Sequence, residues 1–357
     1  MAGCRLVDSA LEILAGLPEP SGPEAVIRFP YGFRVVELGP KSVARRGWTL
    51  FLVRKTLAST PRAAQFLSRR MLCRMSSYAG LKDACSVSWQ YISLFRCRRA
   101  REFVESGGVR AWRVGPGRYV YPGGHLGNYF NITLEAWNAA CPQPPAWIPG
   151  HYGPQRFGVF RPSSHIYSLG LSLKDWPGLL DEYSYRYPLE RRLCPGDYES
   201  RVLSATRKLY SPPPHKPNPI AAEALRSYIF NRALTLGLER GFSPQALAES
   251  YVSIPCSSQT YKVPAARLPS RRVALGSSTW SKLVAKVLVE EGLTPTALPD
   301  QSKALRPLAY PVCSFHCRQE GGGLSKVKML LPPGAFATVA LSTLYSISWS
   351  ESYSECG

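Results

Sequence analysis

Residues 78–90 read Tyr78-Ala79-Gly80-Leu81-Lys82-Asp83-Ala84-Cys85-Ser86-Val87-Ser88-Trp89-Gln90, and the organisation of the chain can be read outward from them. Val87, Trp89 and Tyr91 alternate with Ser86, Ser88 and Gln90, the period-two pattern of a strand with one buried face. Gly80 allows a tight backbone path just before Lys82 and Asp83. A carboxylate on a loop beside a rigid strand is well placed for chemistry. The same letters also fit an exposed turn carrying a solvated lysine–aspartate pair, and taken alone the local pattern favours the turn.

The charge balance narrows the choice. The 357-residue chain has 44 Lys and Arg against 24 Asp and Glu, a formal net charge of +20. An imbalance of that size argues against an enzyme of small neutral substrates. It favours a polyanionic partner, nucleic acid first, because neutralising phosphates releases counterions. Arginine outnumbers lysine, which suits bidentate phosphate contacts and stacking on bases. An anionic membrane surface is the competing explanation. Hydrophobic and aromatic contents of 45% and 11% are those of a globular chain, and the length suggests two domains.

Residues 6–14 have apolar side chains at helical spacing, but Asp8 and Glu12 interrupt them, so they lack a signal-peptide core. The uncharged run from Met329 to Ser350 is broken by Pro332-Pro333-Gly334 and makes a poor membrane span. The expectation is a cytoplasmic protein with no membrane association. Ten cysteines are scattered with no CxxC pair, which does not read as a disulfide framework. Cys313, His316 and Cys317 cluster, but too few further ligands sit at zinc spacing, and no metal site is expected.

In chain order, Phe33–Leu38 and Trp48–Val53 read as separate strands. Thr60 reads as the cap of a helix with Pro61 at its first position, and Ala63, Ala64, Leu67, Met71, Leu72 and Met75 form the apolar stripe. Arg69 and Arg70 lie off that stripe. With Arg96, Arg98 and Arg99 after the alternating strand, they are candidate contacts to an RNA backbone, or a solvated face. Val109–Val114 and Asn128–Leu134 read as further strands, separated by Gly115-Pro116-Gly117 and Gly123-Gly124. After a proline-rich boundary comes Gly150-His151-Tyr152-Gly153-Pro154-Gln155-Arg156-Phe157-Gly158, a mixture suited to stacking on an unpaired base and equally to an aromatic-anchored turn. Pro212–Pro219 reads as a connector, Asn218-Pro219 opens a long helix reaching Gly241, and Ser278 or Thr279 caps another ending near Gly292. Strands are expected at Leu308–Ser314 and Ser325–Leu331. Periodicity leaves Pro333–Leu341 open between helix and strand.

These stretches, in this order, resemble the pseudouridine synthase D (TruD) family, in its archaeal type. Phe33-x-Val35-x-Glu37, Ala79-Gly80-Leu81-Lys82-Asp83 with Gln90, and Gly127-Asn128-x-Phe130-x-Ile132-x-Leu134 carry the first half of the resemblance. Gly153-x-Gln155-Arg156-Phe157-Gly158, Ser227-Tyr228-Ile229-Phe230-Asn231 and Leu331-Pro332-Pro333-Gly334-Ala335-Phe336-Ala337-Thr338 carry the rest. The resemblance implies an α+β fold: a core with a mixed, largely antiparallel sheet flanked by helices, plus an inserted α/β domain. Residues 1–158 and 306–357 would form the catalytic domain and 159–305 the insertion. It implies isomerisation of uridine to pseudouridine in tRNA, typically at position 13, with Asp83 as the catalytic aspartate, no metal and no organic cofactor. It also implies action as a monomer, without an obligate protein partner.

The uridine must be flipped out of folded RNA. Arg28, Lys82, Asn128, Tyr152, Gln155, Arg156 and Phe157 are the expected substrate-side residues, with Tyr152 and Phe157 placed to stack on the base or line its pocket. Asn128 is expected to orient the Asp83 loop. Asp83 must be ionised, and Lys82 or a nearby arginine is expected to keep it so. The sequence departs from the family at Tyr31-Gly32, Gly150, His151 and Gly237, and Arg28 stands where lysine is common. The alternative is a non-catalytic RNA-binding or RNA-folding protein, which the basic charge fits equally well.

Overall fold

A computed structural model describes residues 22–136, 141–157 and 219–349. The apolar stretch 6–14, Gly158 and the prolines at 212–217 lie outside the described residues. The first half of the chain forms β1 (Glu24–Ile27), β2 (Phe33–Lys55), α1 (Thr60–Arg70), β3 (Met75–Tyr78), β4 (Val87–Phe95), β5 (Phe103–Ser106), β6 (Val109–Glu135) and β7 (Trp147–Pro149). The second half forms α2 (Pro219–Glu239), α3 (Pro244–Leu247), β8 (Ser250–Cys256), β9 (Gln259–Arg267), α4 (Arg271–Ala274), α5 (Thr279–Glu290), β10 (Leu305–Pro307), β11 (Ala309–Pro311), β12 (Ser314–Gly321), β13 (Leu324–Leu331), α6 (Ala337–Ser342) and β14 (Ser346–Trp349).

The chain divides into two compact units. One is built around Ser21–Ile148, Ile254–Tyr261 and Pro311–Gly357, the other around Pro149–Ser253 and Lys262–Tyr310. The first holds a nine-stranded sheet in the order β12-β13-β6-β2-β4-β3, with β1 and β5 also on β6 and β14 on β1. Most pairs are antiparallel and β1–β14 is parallel, so the fold is α+β with a mixed, largely antiparallel sheet.

Two strands organise this sheet. β2 runs for 23 residues and β6 for 27, paired antiparallel from Phe33↔Ile132 to Lys55↔Val109. The sequence suggests two strands in each, because Gly39-Pro40 and Gly115-Pro116-Gly117 look like breaks. In the structure these residues bend the ribbon without ending it. Pro40 opposes His125 and Pro116 opposes Thr49, each beside a register shift, where a proline is tolerated. Gly39, Gly117 and Gly123 take positive φ values of 48°, 74° and 79°, a region that suits glycine.

The bend has a consequence for β4. Arg34–Val36 run alongside Val87–Trp89 in the same direction, whereas Trp48–Lys55 run against Phe95–Ser88. Both ends of β2 therefore meet the start of β4, where the Lys82-Asp83 loop arrives. The sheet face is sealed by α1: Ala63, Ala64, Leu67 and the following Met71 pack on Phe51, Val53, Ile92, Leu94, Val109 and Ala111. The cap of α1 is Ser59, whose hydroxyl accepts from the Arg62 N–H, and not Thr60. Leu72 and Met75 are exposed and do not continue the stripe, because the helix ends at Arg70.

In the second unit α2 packs on α5, and Ile229, Phe230, Ala233 and Leu234 of the one and Trp280, Leu283 and Val287 of the other are all buried. The Phe230 and Trp280 rings lie 5.0 Å apart. Asn231, on the same helix, reaches the backbone of Tyr152, as described below. Ser278 caps α5, and the undecided segment after Pro333 contains the helix α6.

The cysteines correct the sequence reading. Disulfides join Cys73–Cys97, Cys141–Cys317 and Cys256–Cys313, and Cys85 is also disulfide-bonded. The partners are separated by 24, 176 and 57 residues, so no local spacing records them. Cys313 and Cys317, the tight pair in the sequence, are bonded elsewhere and offer no thiolate to a metal. Among the described residues no helix is long and apolar enough to cross a membrane.

Candidate active site

The loop 79–86 connects β3 to β4 and rests on the two ends of β2 and the first residue of α1. Lys82 is its anchor. The Lys82 N–H donates to the Thr60 hydroxyl at 2.9 Å, and that hydroxyl donates to Gln90 Oε1 at 2.9 Å. Lys82 Nζ donates to Glu37 Oε2 at 2.6 Å, while Glu37 Oε1 accepts the Tyr91 N–H at 3.1 Å. Glu37, Thr60, Lys82 and Gln90 are all buried. A buried pair of this kind is tolerable only because both partners are also fixed by neighbouring groups.

Asp83 is half-buried beside this anchor. Its Oδ1 accepts the Cys85 N–H at 3.0 Å, closing a turn two residues long. Its backbone carbonyl accepts from Lys55 Nζ at 2.6 Å and from the Ser86 hydroxyl at 2.8 Å. The side chain is thus held by its own backbone, and the backbone by the sheet. The Lys82 ammonium is engaged by Glu37, and Lys55 is a second cation whose charge couples to Asp83.

Lys55, Thr60 and Glu37 were the residues the local pattern did not single out for this role. Lys55 borders a strand among arginines and reads as solvated, yet it is fully buried. Thr60 reads as a helix cap.

Asn128 lies opposite Glu37 across the β2–β6 pair, and its Nδ2 is 3.4 Å from His125 Nε2. Its described side-chain partner is therefore His125 and not the Asp83 loop. Burial holds His125 down to about 4, with the Lys82 charge adding to the effect, so the ring is neutral at physiological pH. Gln90 Nε2, Ser88 Oγ and Asn128 Oδ1 are buried without a hydrogen-bond partner. Unsatisfied polar atoms are rare in a protein interior; Ser88 and Gln90 lie on β4, which the loop enters, and Asn128 on β6. Arg28 is exposed and forms an ion pair with Glu135.

The remaining expected residues belong to the second unit. Asn231 clamps Tyr152 by accepting its N–H at 2.7 Å and donating to its carbonyl at 2.9 Å. The Arg306 guanidinium lies 3.5 Å from the centre of the Tyr152 ring and donates to the carbonyls of Gly150 and His151. Arg156 donates to the Ser227 hydroxyl at 3.1 Å, and Gln155 is half-buried in the same turn. Phe157 is fully buried, a core position. Burial, with the Arg306 charge second, holds His151 down to about 3.

The candidate RNA-backbone arginines converge on one edge of the first unit. Arg69 and Arg70 end α1, and Arg96, Arg98 and Arg99 follow β4; all five are exposed. The Arg99 N–H donates to the Met71 carbonyl at 3.0 Å, the Arg74 N–H to Phe95 at 2.9 Å, and Cys73–Cys97 joins the two loops covalently. Among the described residues no group of three or more His, Cys, Asp or Glu side chains is placed to hold a metal ion.

Comparison with known proteins agrees with this architecture. The family model described as tRNA pseudouridine synthase D (TruD) matches residues 26–192. Three relatives carry the name "Probable tRNA pseudouridine synthase D". That of Pyrococcus abyssi is 27% identical over 71% of this chain and 73% of its own. That of Methanopyrus kandleri is 26% identical over 86% and 88%, and that of Pyrobaculum neutrophilum is 26% identical over 92% and 90%. A crystal structure from Methanosarcina mazei, titled as a TruD, shares the fold with a TM-score of 0.57 at 18% identity, over 95% of this chain and 98% of that one. The chain is thus similar to the TruD pseudouridine synthases, by the family model over residues 26–192 and by these relatives over 71–92% of its length.

Proposed function

We propose that the protein isomerises uridine to pseudouridine in tRNA, at position 13, with Asp83 as the reacting carboxylate and without a metal or organic cofactor. The observation that carries this reading is the Asp83 loop: a half-buried carboxylate whose backbone is pinned by a fully buried lysine, on a chain whose relatives are named for tRNA pseudouridylation. The N1–C1′ bond breaks, C1′ is rejoined to C5, and the C5 proton leaves while N1 regains one. No redox change is involved. One carboxylate can assist by adding to the sugar or the base, or by moving a proton from the sugar. Residues 1–158 with 306–357 are proposed as the catalytic core and 159–305 as the insertion.

The test is tritium release from tRNA labelled at C5 of uridine, followed by mapping of the modified position. Release with modification at position 13 supports the reading. Tight tRNA binding with no release supports the non-catalytic RNA-binding alternative.

The arginine edge is proposed to hold the RNA backbone. Arg98→Ala with Arg99→Ala is expected to weaken tRNA binding about tenfold and to lower the salt slope of log K by up to about two, since each phosphate contact contributes about 0.9. The rate at saturating tRNA is expected to persist. An unchanged salt slope would remove these residues from the interface.

A further inference from the structure

We propose that Lys55 is the positioning residue of the reaction: its buried ammonium holds the Lys82 and Asp83 carbonyls together and sets a positive charge beside Asp83. This rests on the reading of Asp83 as the reacting carboxylate. Lys55 closes β2 with no exposed surface. Its Nζ donates to the Asp83 carbonyl at 2.6 Å and to the Lys82 carbonyl at 3.2 Å. A lysine is almost never fully buried unless something pairs with it. Glu37 is spoken for by Lys82 at 2.6 Å, which leaves Asp83 as the anion coupled to Lys55. The two lysines divide the labour: Lys82 ties the loop to the first end of β2 and Lys55 ties it to the last.

Charge makes the role testable. Burial lowers Lys55 to about 7, with Asp83 opposing the shift and Lys82 adding to it. Among the described residues, those two loop residues are the charged groups that act on it. Above about pH 7 the amine keeps two N–H donors for the carbonyls but loses the charge beside Asp83. Turnover is expected to fall there. Stability moves the other way: between about 7 and 10.5 the unfolded chain binds a proton that the folded chain has shed, so folding is favoured as pH rises. A residue that only supported the fold would not produce these opposed trends.

The experiment compares wild type with Lys55→Met by hydrogen exchange at residues 80–86 and by tritium release from uridine-labelled tRNA. Exchange in the loop is expected to rise about tenfold in the variant. The kcat is expected to fall roughly 10²-fold, as for a misplaced reacting group, with KM near wild type. Wild-type kcat is expected to decline through about pH 7, a limb read without any substitution. Unchanged loop exchange, an unchanged kcat in the variant, or a wild-type kcat with no decline through that range would each overturn the proposal. A wild type that makes no product would overturn the isomerase reading instead, and the exchange comparison would still decide whether Lys55 holds the loop.

Discussion

Asp83→Asn is expected to leave tRNA binding intact while tritium release falls by roughly 10²–10⁴-fold or more. The substitution is nearly isosteric. The amide oxygen can still accept the Cys85 N–H, and the backbone bonds from Lys55 and Ser86 do not involve the side-chain charge. The loop therefore keeps its shape, and only the ability to act as a base or nucleophile is lost. Binding measured by filter retention at fixed salt, alongside tritium release, separates the two effects. Undiminished release would remove Asp83 from the chemistry. A parallel loss of binding would mean that the carboxylate serves the fold.

Glu37→Gln is expected to cost about 3–5 kcal/mol of stability, the usual result of leaving one member of a buried pair uncompensated. The Lys82 ammonium, 2.6 Å from Glu37, would then sit beside a neutral amide in the protein interior. The Tyr91 N–H could still find the remaining carbonyl oxygen, so the loss isolates charge from hydrogen bonding. Thermal or denaturant unfolding checks the magnitude. The double variant Glu37→Gln with Lys82→Met is expected to recover most of the loss, because no unpaired charge remains. If the single variant unfolds like wild type, the pair is not the anchor described above.

The loop, the alternating strand after it and the Pro61 helix start were legible because each rests on local rules: alternation, turn chemistry and the fit of proline to a first helical turn. The length of β2 and β6 was not. Gly39-Pro40 and Gly115-Pro116-Gly117 break a strand by local rules, and only the partner strand shows that they bend one. Lys55 was illegible for a related reason. A lysine after Arg54 looks solvated, and its burial follows from α1 and the 79–86 loop closing over the end of β2, residues that are distant in sequence. The disulfides depend wholly on tertiary approach. Asp83 itself was singled out by the family resemblance more than by its neighbours, since a Lys-Asp turn is common on protein surfaces.

The parallel pairing of β1 with β14 sets Glu24 beside Ser346 and Ile27 beside Trp349. A ribosome makes the first of these strands long before the second. Among the described residues, the other strand pairing of β1 is Val26↔Glu135 and Ile27↔Leu134. Closing a loop of that length is entropically expensive, and contacts so distant in sequence slow folding. The sheet that carries Asp83 is therefore expected to close late, with β1 the last strand to lose its exposure, so a chain cut before β14 would be the form most prone to proteolysis at β1.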